Sequence, residues 1–254
     1  RSSSYREFVK TPTKHSSKKW RPGPDKATKK TQRPPVNAAR NDPTHGAVRF
    51  WFTIIFIVAF ALRLIHLFQI ESIPLFYHLA GDGRTYDEWA QRIAAGAWLG
   101  DGVFYQAPLY PYFLGILQLL LGHNLWAIRI VQLLLGSISC GLIFMAGHGL
   151  FSRDAGLAAG LILACYAPAI FFDALIEKSV LDIFLLSCLL LLLLGKIDNE
   201  KWSKWLAAGA TSGLLGLSRE NALVLVPVVA LWIAVGFATR SLALDSARAQ
   251  IPII

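Results

Sequence analysis

Three short stretches hold side chains whose types could act on an anionic, group-transfer substrate. The first is GDGRTYDEWAQRIAAG at 81–96, which carries Asp82, Asp87 and Glu88. The second is Glu177-Lys178, and the third is Arg219-Glu220-Asn221. Carboxylates on one wall of a cavity and cations on the other suit a phosphate leaving group. Lys and Arg neutralise the phosphate charge as its bond breaks, while a carboxylate takes a proton from the incoming nucleophile. Arg63, Arg129, Asp173 and Asp182 lie in otherwise apolar runs, and ionisable groups at membrane depth usually point into a protein-lined cavity. Structural explanations compete with this one. These groups could pair with each other between helices. Asp82, just ahead of a helical pattern, could cap its first turn. His66, His78, His123 and His148 show no metal-ligand spacing.

These stretches meet only if the chain crosses a membrane repeatedly. Of 254 residues, 54% are hydrophobic and 16% charged, and the mean hydropathy is +0.47. Soluble domains carry about 25% charged residues. The net charge of +9 is confined to one end: residues 1–48 hold twelve Lys/Arg against three Asp/Glu, and the rest hold thirteen of each. A compact nucleic-acid-binding domain is thereby excluded. Cys140, Cys165 and Cys188 cannot form a disulfide framework and read as buried small hydrophobes. Residues 1–47, rich in Lys, Pro, Ser and Thr, read as a disordered, solvated cytoplasmic tail without the layout of a signal peptide. Apolar runs then predict an all-α integral membrane protein, a multi-spanning helical bundle with about six spans: 48–70, 124–150, 155–176, 179–196, 203–219 and 221–239. Residues 241–254 read as the start of a further loop and span in a truncated chain.

Orientation follows the Lys/Arg rule for short loops. With the tail in the cytoplasm, Arg153, Lys196, Lys201, Lys204, Arg240 and Arg248 fall inside. The loop 71–123 and the turns at Glu177-Lys178 and Arg219-Glu220 then fall outside, where all three chemically equipped stretches meet. Within the loop, Tyr86, Trp89, Ala90, Ile93 and Ala94 recur at three- and four-residue steps, the apolar stripe of an amphipathic juxtamembrane helix. Residues 109–122 are apolar but too short for a confident span, and they read as a second helix in the interface. Trp89, Trp98, Tyr105, Tyr110 and Tyr112 form an aromatic belt there.

The succession GDGRTYDEWA, FYQAPLYPYFLGILQLLLG, AIRIVQLLLG, APAIFFDALIEK and GLLGLSREN resembles the polyprenol-phosphate-dependent glycosyltransferases of the GT-C fold. The nearest groups are the dolichyl-phosphate-mannose protein mannosyltransferase-like members and the bacterial aminoarabinose transferases. The resemblance covers about residues 50–240, the amino-terminal part of such a membrane domain. It implies a sugar donor linked to polyprenyl phosphate, drawn from the bilayer, with transfer to a protein, lipid or glycan acceptor outside. Membrane lipids are then the surroundings and nucleic acid no partner. It implies a catalytic Asp in the first outer loop, matched by Asp82 with Asp87 second. Arg219 matches a position facing the lipid phosphate, with Lys178 and Arg129 as further candidates. Glu177 and Glu220 would hold those cations, and Tyr86 joins the substrate-binding set. Residues 108–122 would flank the groove through which the donor arrives. Some relatives carry Glu-Lys before the proline of this segment, where this chain has Gln106-Ala107. No metal ligand is therefore assigned, although a divalent metal is left open. The bacterial inner membrane is the expected location. The rival class is a transporter or flippase of a lipid-linked or anionic substrate. It fits less well, because no internal repeat is found and the charges gather at one face.

Overall fold

The computed structural model describes residues 43–99, 104, 106–194, 202–232 and 234–235, all within the unit Asn41–Ile254. Of the expected tail, residues 1–42 lie outside the described residues, and Pro43 already opens the first helix. The expected further loop at 241–254 lies outside them too, as do Lys196, Lys201, Arg240 and Arg248. The helices are α1 (Pro43–Ile70), α2 (Gly81–Ala94), α3 (Leu109–Leu121), α4 (Leu125–Leu150), α5 (Arg153–Cys165), α6 (Ala167–Asp173), α7 (Ser179–Leu193) and α8 (Trp202–Ser218). Short 3-10 turns occupy Pro74–Phe76 and Glu220–Val224. Among the described residues there is no strand.

The chain is an all-helical membrane protein, but the count of six spans needs correction. Two helices are long and apolar enough to cross a bilayer, Gly46–Ile70 and Leu125–Leu150. A third candidate is the α5–α6 pair, bent by 55°. The reason is that apolar runs continue through turns where the helix does not. Tyr166 leaves helical geometry (ψ 103°) between α5 and α6, and Pro168 in the first turn of α6 offers no amide to continue the ladder. The run 179–196 is helical only to Leu193, so α7 has 15 residues. At 1.5 Å each these span about 22 Å, short of the roughly 30 Å of a hydrocarbon core. α8 has 17 residues. Beyond it a shorter apolar helix is described at Glu220–Trp232.

α4 lies at the centre of the bundle, against α1, α5 and α7. Small residues let it approach α5 closely. A Cβ on Gly156 would lie 2.6 Å from His148 N and from Phe144 O, the kind of contact that drives helix association where lipid supplies no hydrophobic force. The Arg63 guanidinium donates to Asp173 Oδ2 at 2.7 Å and to the Ala59 and Ala164 carbonyls, with both side chains 1% exposed. This buried pair locks α1 to the end of α6. The structural explanation therefore holds for Arg63 and Asp173: they pair with each other. Outward, Phe50, Ile57, Ile65 and Phe68 of α1 and Leu120 of α3 are exposed, as suits a surface bathed in lipid. Cys140 is buried, but Cys165 at the end of α5 is exposed and Cys188 half-buried. The expectation of three buried thiols is corrected there, because helix faces turned toward lipid remain apolar.

Several cross-links gather helix ends on one side. Arg129, in the first turns of α4, donates to Phe76 O at 2.8 Å and Ala174 O at 2.9 Å. Asp182, in the first turn of α7, accepts from Ser218 at the end of α8. The end of α1, the starts of α4 and α7, and the ends of α6 and α8 thus meet at the face that α2 and α3 cover.

Candidate functional site

The expected amphipathic helix is α2, and its apolar stripe is buried at Tyr86, Ala90 and Ile93. Gly81 starts it with φ 59°, after an extended Ala80 that serves as N-cap without a side-chain bond. Asp82 is therefore not the cap. It sits inside the first turn, exposed, where the helix dipole favours a negative charge. Its one side-chain hydrogen bond among the described residues is from Gln106 Nε2 to Oδ1, at 3.4 Å. Two glycines set the helix against its neighbours. A Cβ on Gly83 would come within 3.1 Å of Ile176 O, which brings the start of α2 to the turn carrying Glu177. A Cβ on Gly115 of α3 would meet Ile93 at 2.8 Å. Tyr86 stacks edge-on against Tyr110 (centroids 5.1 Å), whose hydroxyl donates to Gln132 Oε1 at 3.0 Å.

Three distant stretches meet electrostatically at Glu177. Burial holds its carboxyl above the usual carboxylate range, and the nearby Asp82 charge adds to this. The Lys178 backbone N–H and the Lys178 and Arg219 charges pull the other way. Tyr86 reports the same neighbourhood from beneath. Its hydroxyl is pushed up to about 12, first by burial and then by the charges of Glu177, Asp82, Asp182 and Glu220. Asp82, Glu177, Lys178 and Arg219 thus share one face, with Tyr86 under it.

Arg219 closes the cluster. Its Nε donates to Asp182 Oδ2 at 2.8 Å while Ser218 Oγ donates to Oδ1 at 2.5 Å. The guanidinium stays half exposed, with its two terminal nitrogens free of hydrogen bonds among the described residues. Below it opens a groove of about 320 Å³ lined by Ser179, Ile183, Leu186, Leu215, Ala222 and Leu225, with Asp182 and Arg219 themselves part of its wall. The expected keepers of the cations are corrected in part. Glu177 acts on Lys178 and Arg219 through charge, but the carboxylate bonded to Arg219 is Asp182. It faces α8 from the first turn of α7, whereas Glu220 leads outward in a 3-10 turn and is exposed.

The structure separates Arg129 and Asp87 from this surface. Arg129 is 1% exposed; besides its two carbonyl bonds, its guanidinium lies 3.9 Å from the Phe76 ring centroid. Asp87 is 7% exposed and receives donors on both oxygens. Gln118 Nε2 lies at 2.9 Å from Oδ1, Gln91 Nε2 at 2.8 Å from Oδ2, and His123 Nε2 at 3.0 Å from each. Sequence reasoning grouped Asp182 with the cavity-facing charges without pairing it to Arg219, read Gln106 only as a missing metal ligand, and assigned no role to Gln118 or His123. The one usable signal was Asp182, a lone acid in an apolar run. Among the described residues no group of three or more His, Cys, Asp or Glu is placed to hold a metal ion.

No curated protein and no solved structure matches this chain. The family model of dolichyl-phosphate-mannose-protein mannosyltransferase matches residues 105–249. That stretch takes in α3, the central α4, the Glu177 turn and the Arg219 corner, and it begins after α2, so Asp82 lies outside it. A match over more than half the sequence, on a helical membrane bundle with this arrangement at one end, settles the affiliation: the chain belongs to the dolichyl-phosphate-mannose-protein mannosyltransferase family.

Proposed function

We propose that this membrane glycosyltransferase of the GT-C type moves a sugar from a polyprenyl-phosphate donor to a protein, lipid or glycan acceptor outside the cytoplasm. The observation that carries the reading is the close approach of α2 to the Glu177 turn, where a Cβ on Gly83 would come within 3.1 Å of Ile176 O, beside an Arg219 corner held by Asp182; the charges of Asp82, Lys178 and Arg219 then bear on Glu177. That is the arrangement a phosphate leaving group needs, with cations beside a candidate base. Asp82 has an exposed carboxylate with one long hydrogen bond and serves as general base. It takes the proton of the acceptor hydroxyl or amine as the nucleophile attacks the anomeric carbon. The bond from that carbon to the phosphate oxygen breaks, with inversion, and polyprenyl phosphate departs carrying the electron pair. Arg219 and Lys178 neutralise its charge, and Asp182 aims Arg219 at it. Glu177 sits between base and cations and Tyr86 supports the floor, while Glu220 lies at the rim. Asp87 and Arg129 hold the surrounding helices in place.

In this reading the amino terminus is cytoplasmic and the Asp82 loop lies outside, in a bacterial inner membrane. The Lys/Arg content of the opposite turns supports this orientation. The test is release of free polyprenyl phosphate from a labelled polyprenyl-phosphate sugar by the purified chain in detergent. Asp82→Asn is expected to insert normally and to lose about 10²–10⁴-fold in rate, the usual contribution of a general base. Retention of more than about a tenth of the activity would place the base elsewhere. Movement of intact substrate across liposomes without cleavage would replace the enzyme with a transporter.

A further inference from the structure

We propose that Asp87 is a positioning residue that, with Gln118 and His123, fixes the rotation of α2 about its axis and so aims Asp82 at Glu177. The inference rests on the reading of Asp82 as base only for its effect on rate. Its structural half stands alone.

Both oxygens of Asp87 are already engaged by side chains of the protein. Its donors come from three places: Gln91 on α2 itself, Gln118 on α3, and His123 in the turn leading to α4. Gln118 is itself buried, at 6% exposure, so its amide has no water to turn to. The turn is firmly placed, because Gly122 (φ 69°) reverses the chain there and Asn124 caps α4 by accepting from Trp126 N and Ala127 N. Asp87 therefore ties one side of α2 to a rigid corner.

Asp82 and Asp87 are five residues apart, about 140° around a helix of 3.6 residues per turn. They face nearly opposite ways, one toward the Glu177 turn and the other into the α3–α4 corner. The apolar contacts of Tyr86, Ala90 and Ile93 set how close α2 sits, but a stripe of apolar contacts is not directional. Hydrogen bonds are, and three side chains converging on one carboxylate define an angle. A rotation that opens them also swings Asp82 away from Glu177.

The test separates geometry from rate. In a Cys140→Ser, Cys165→Ser, Cys188→Ser background, Asp82→Cys and Glu177→Cys are expected to cross-link readily under copper-phenanthroline. Adding Asp87→Asn, which sets an amide against the donors, is expected to reduce that cross-linking severalfold. In the otherwise native chain, Asp87→Asn is expected to lower kcat about 10- to 100-fold with donor KM unchanged, the scale of a misplaced reacting group. Asp87→Asn with Gln118→Glu exchanges acceptor and donor across the same contact, and is expected to restore cross-linking and to bring kcat within about threefold of the native value. Unchanged cross-linking in the Asp87→Asn background overturns the proposal whatever the activity. Failure of the exchange to restore a folded, monodisperse protein's kcat also overturns it, since Asp87 would then act on the reacting atoms itself. If Asp82→Asn keeps its activity while Asp87→Asn still abolishes cross-linking, the positioning role stands and the assignment of the base falls.

Discussion

Gly136→Ala, far from the proposed chemistry, is the most telling single substitution for the frame that holds the site. Gly136 lies in α4, and a Cβ there would stand 2.1 Å from Asp173 Oδ2, 2.7 Å from its Cγ and 3.0 Å from Arg63 Nε. Both halves of the buried ion pair are therefore in the way, and neither can swing into solvent at 1% exposure. Breaking a buried pair costs about 3–5 kcal/mol. Alanine in place of a helical glycine returns about 1 kcal/mol, which leaves a net loss of about 2–4 kcal/mol. At roughly 2–4 °C per kcal/mol for a chain of this size, the melting temperature in detergent is expected to fall by about 5–15 °C. Gly213→Ala is the control: nothing lies within 4 Å of a Cβ built there on α8, so that variant is expected to melt at or slightly above the native temperature. The measurement is a pair of thermal melts followed by fluorescence-detected size exclusion. If the two variants melt together, the pair does not hold α1 to α6, and the account of how the Glu177 turn is placed fails with it.

Two other substitutions probe the site itself. Asp182→Asn weakens the grip on Arg219 Nε and Ser218 Oγ; a hydrogen bond to a charged group is worth about 1.5–3 kcal/mol, so donor KM is expected to rise about tenfold or more in the release assay, with a smaller effect on kcat. Glu177 holds its proton more tightly folded than unfolded, because burial and Asp82 oppose its charge. The folded chain then binds more protons just above the ordinary carboxylate pKa, and stability falls as pH rises through that window. Glu177→Gln removes this effect, so its melting temperature is expected to gain on the native one as pH rises through and above the ordinary carboxylate range; a constant difference across that rise would show that the folded carboxyl is not held protonated.

Local pattern carried far in this chain, and failed where partners are distant. The stripe at Tyr86, Ala90 and Ile93 could be read directly because helical periodicity is a property of neighbours, and the burial of those three side chains follows it. Long apolar runs revealed α1 and α4 for the same reason. The run 155–176 looked continuous because hydropathy does not register a backbone turn at Tyr166. That Asp173 takes Arg63, 110 residues earlier, while Arg129 is left to carbonyls and a ring, depends on which helices pack together. No spacing encodes that. His123 was set aside as a lone histidine, yet folding brings it to Asp87 across 36 residues.

The distribution of satisfied and unsatisfied charge separates frame from site. Ionisable groups kept from water must be bonded or they destabilise the fold. The interior meets most of that demand: Arg63 has a carboxylate and two carbonyls, Arg129 two carbonyls and an aromatic face, and Asp87 three side-chain partners, while Arg129 Nη1 and Asp173 Oδ1 are buried without one among the described residues. At the face formed by α2, the 174–178 turn and the Arg219 corner, the demand is met only halfway. Asp82 keeps a single bond of 3.4 Å, Arg219 is held by one nitrogen of three, and the Lys178 ammonium makes no hydrogen bond among the described residues. Asp82 is exposed and the Arg219 guanidinium half exposed, so both can exchange water for a ligand. In the proposed reaction they supply capacity for one anion and one proton.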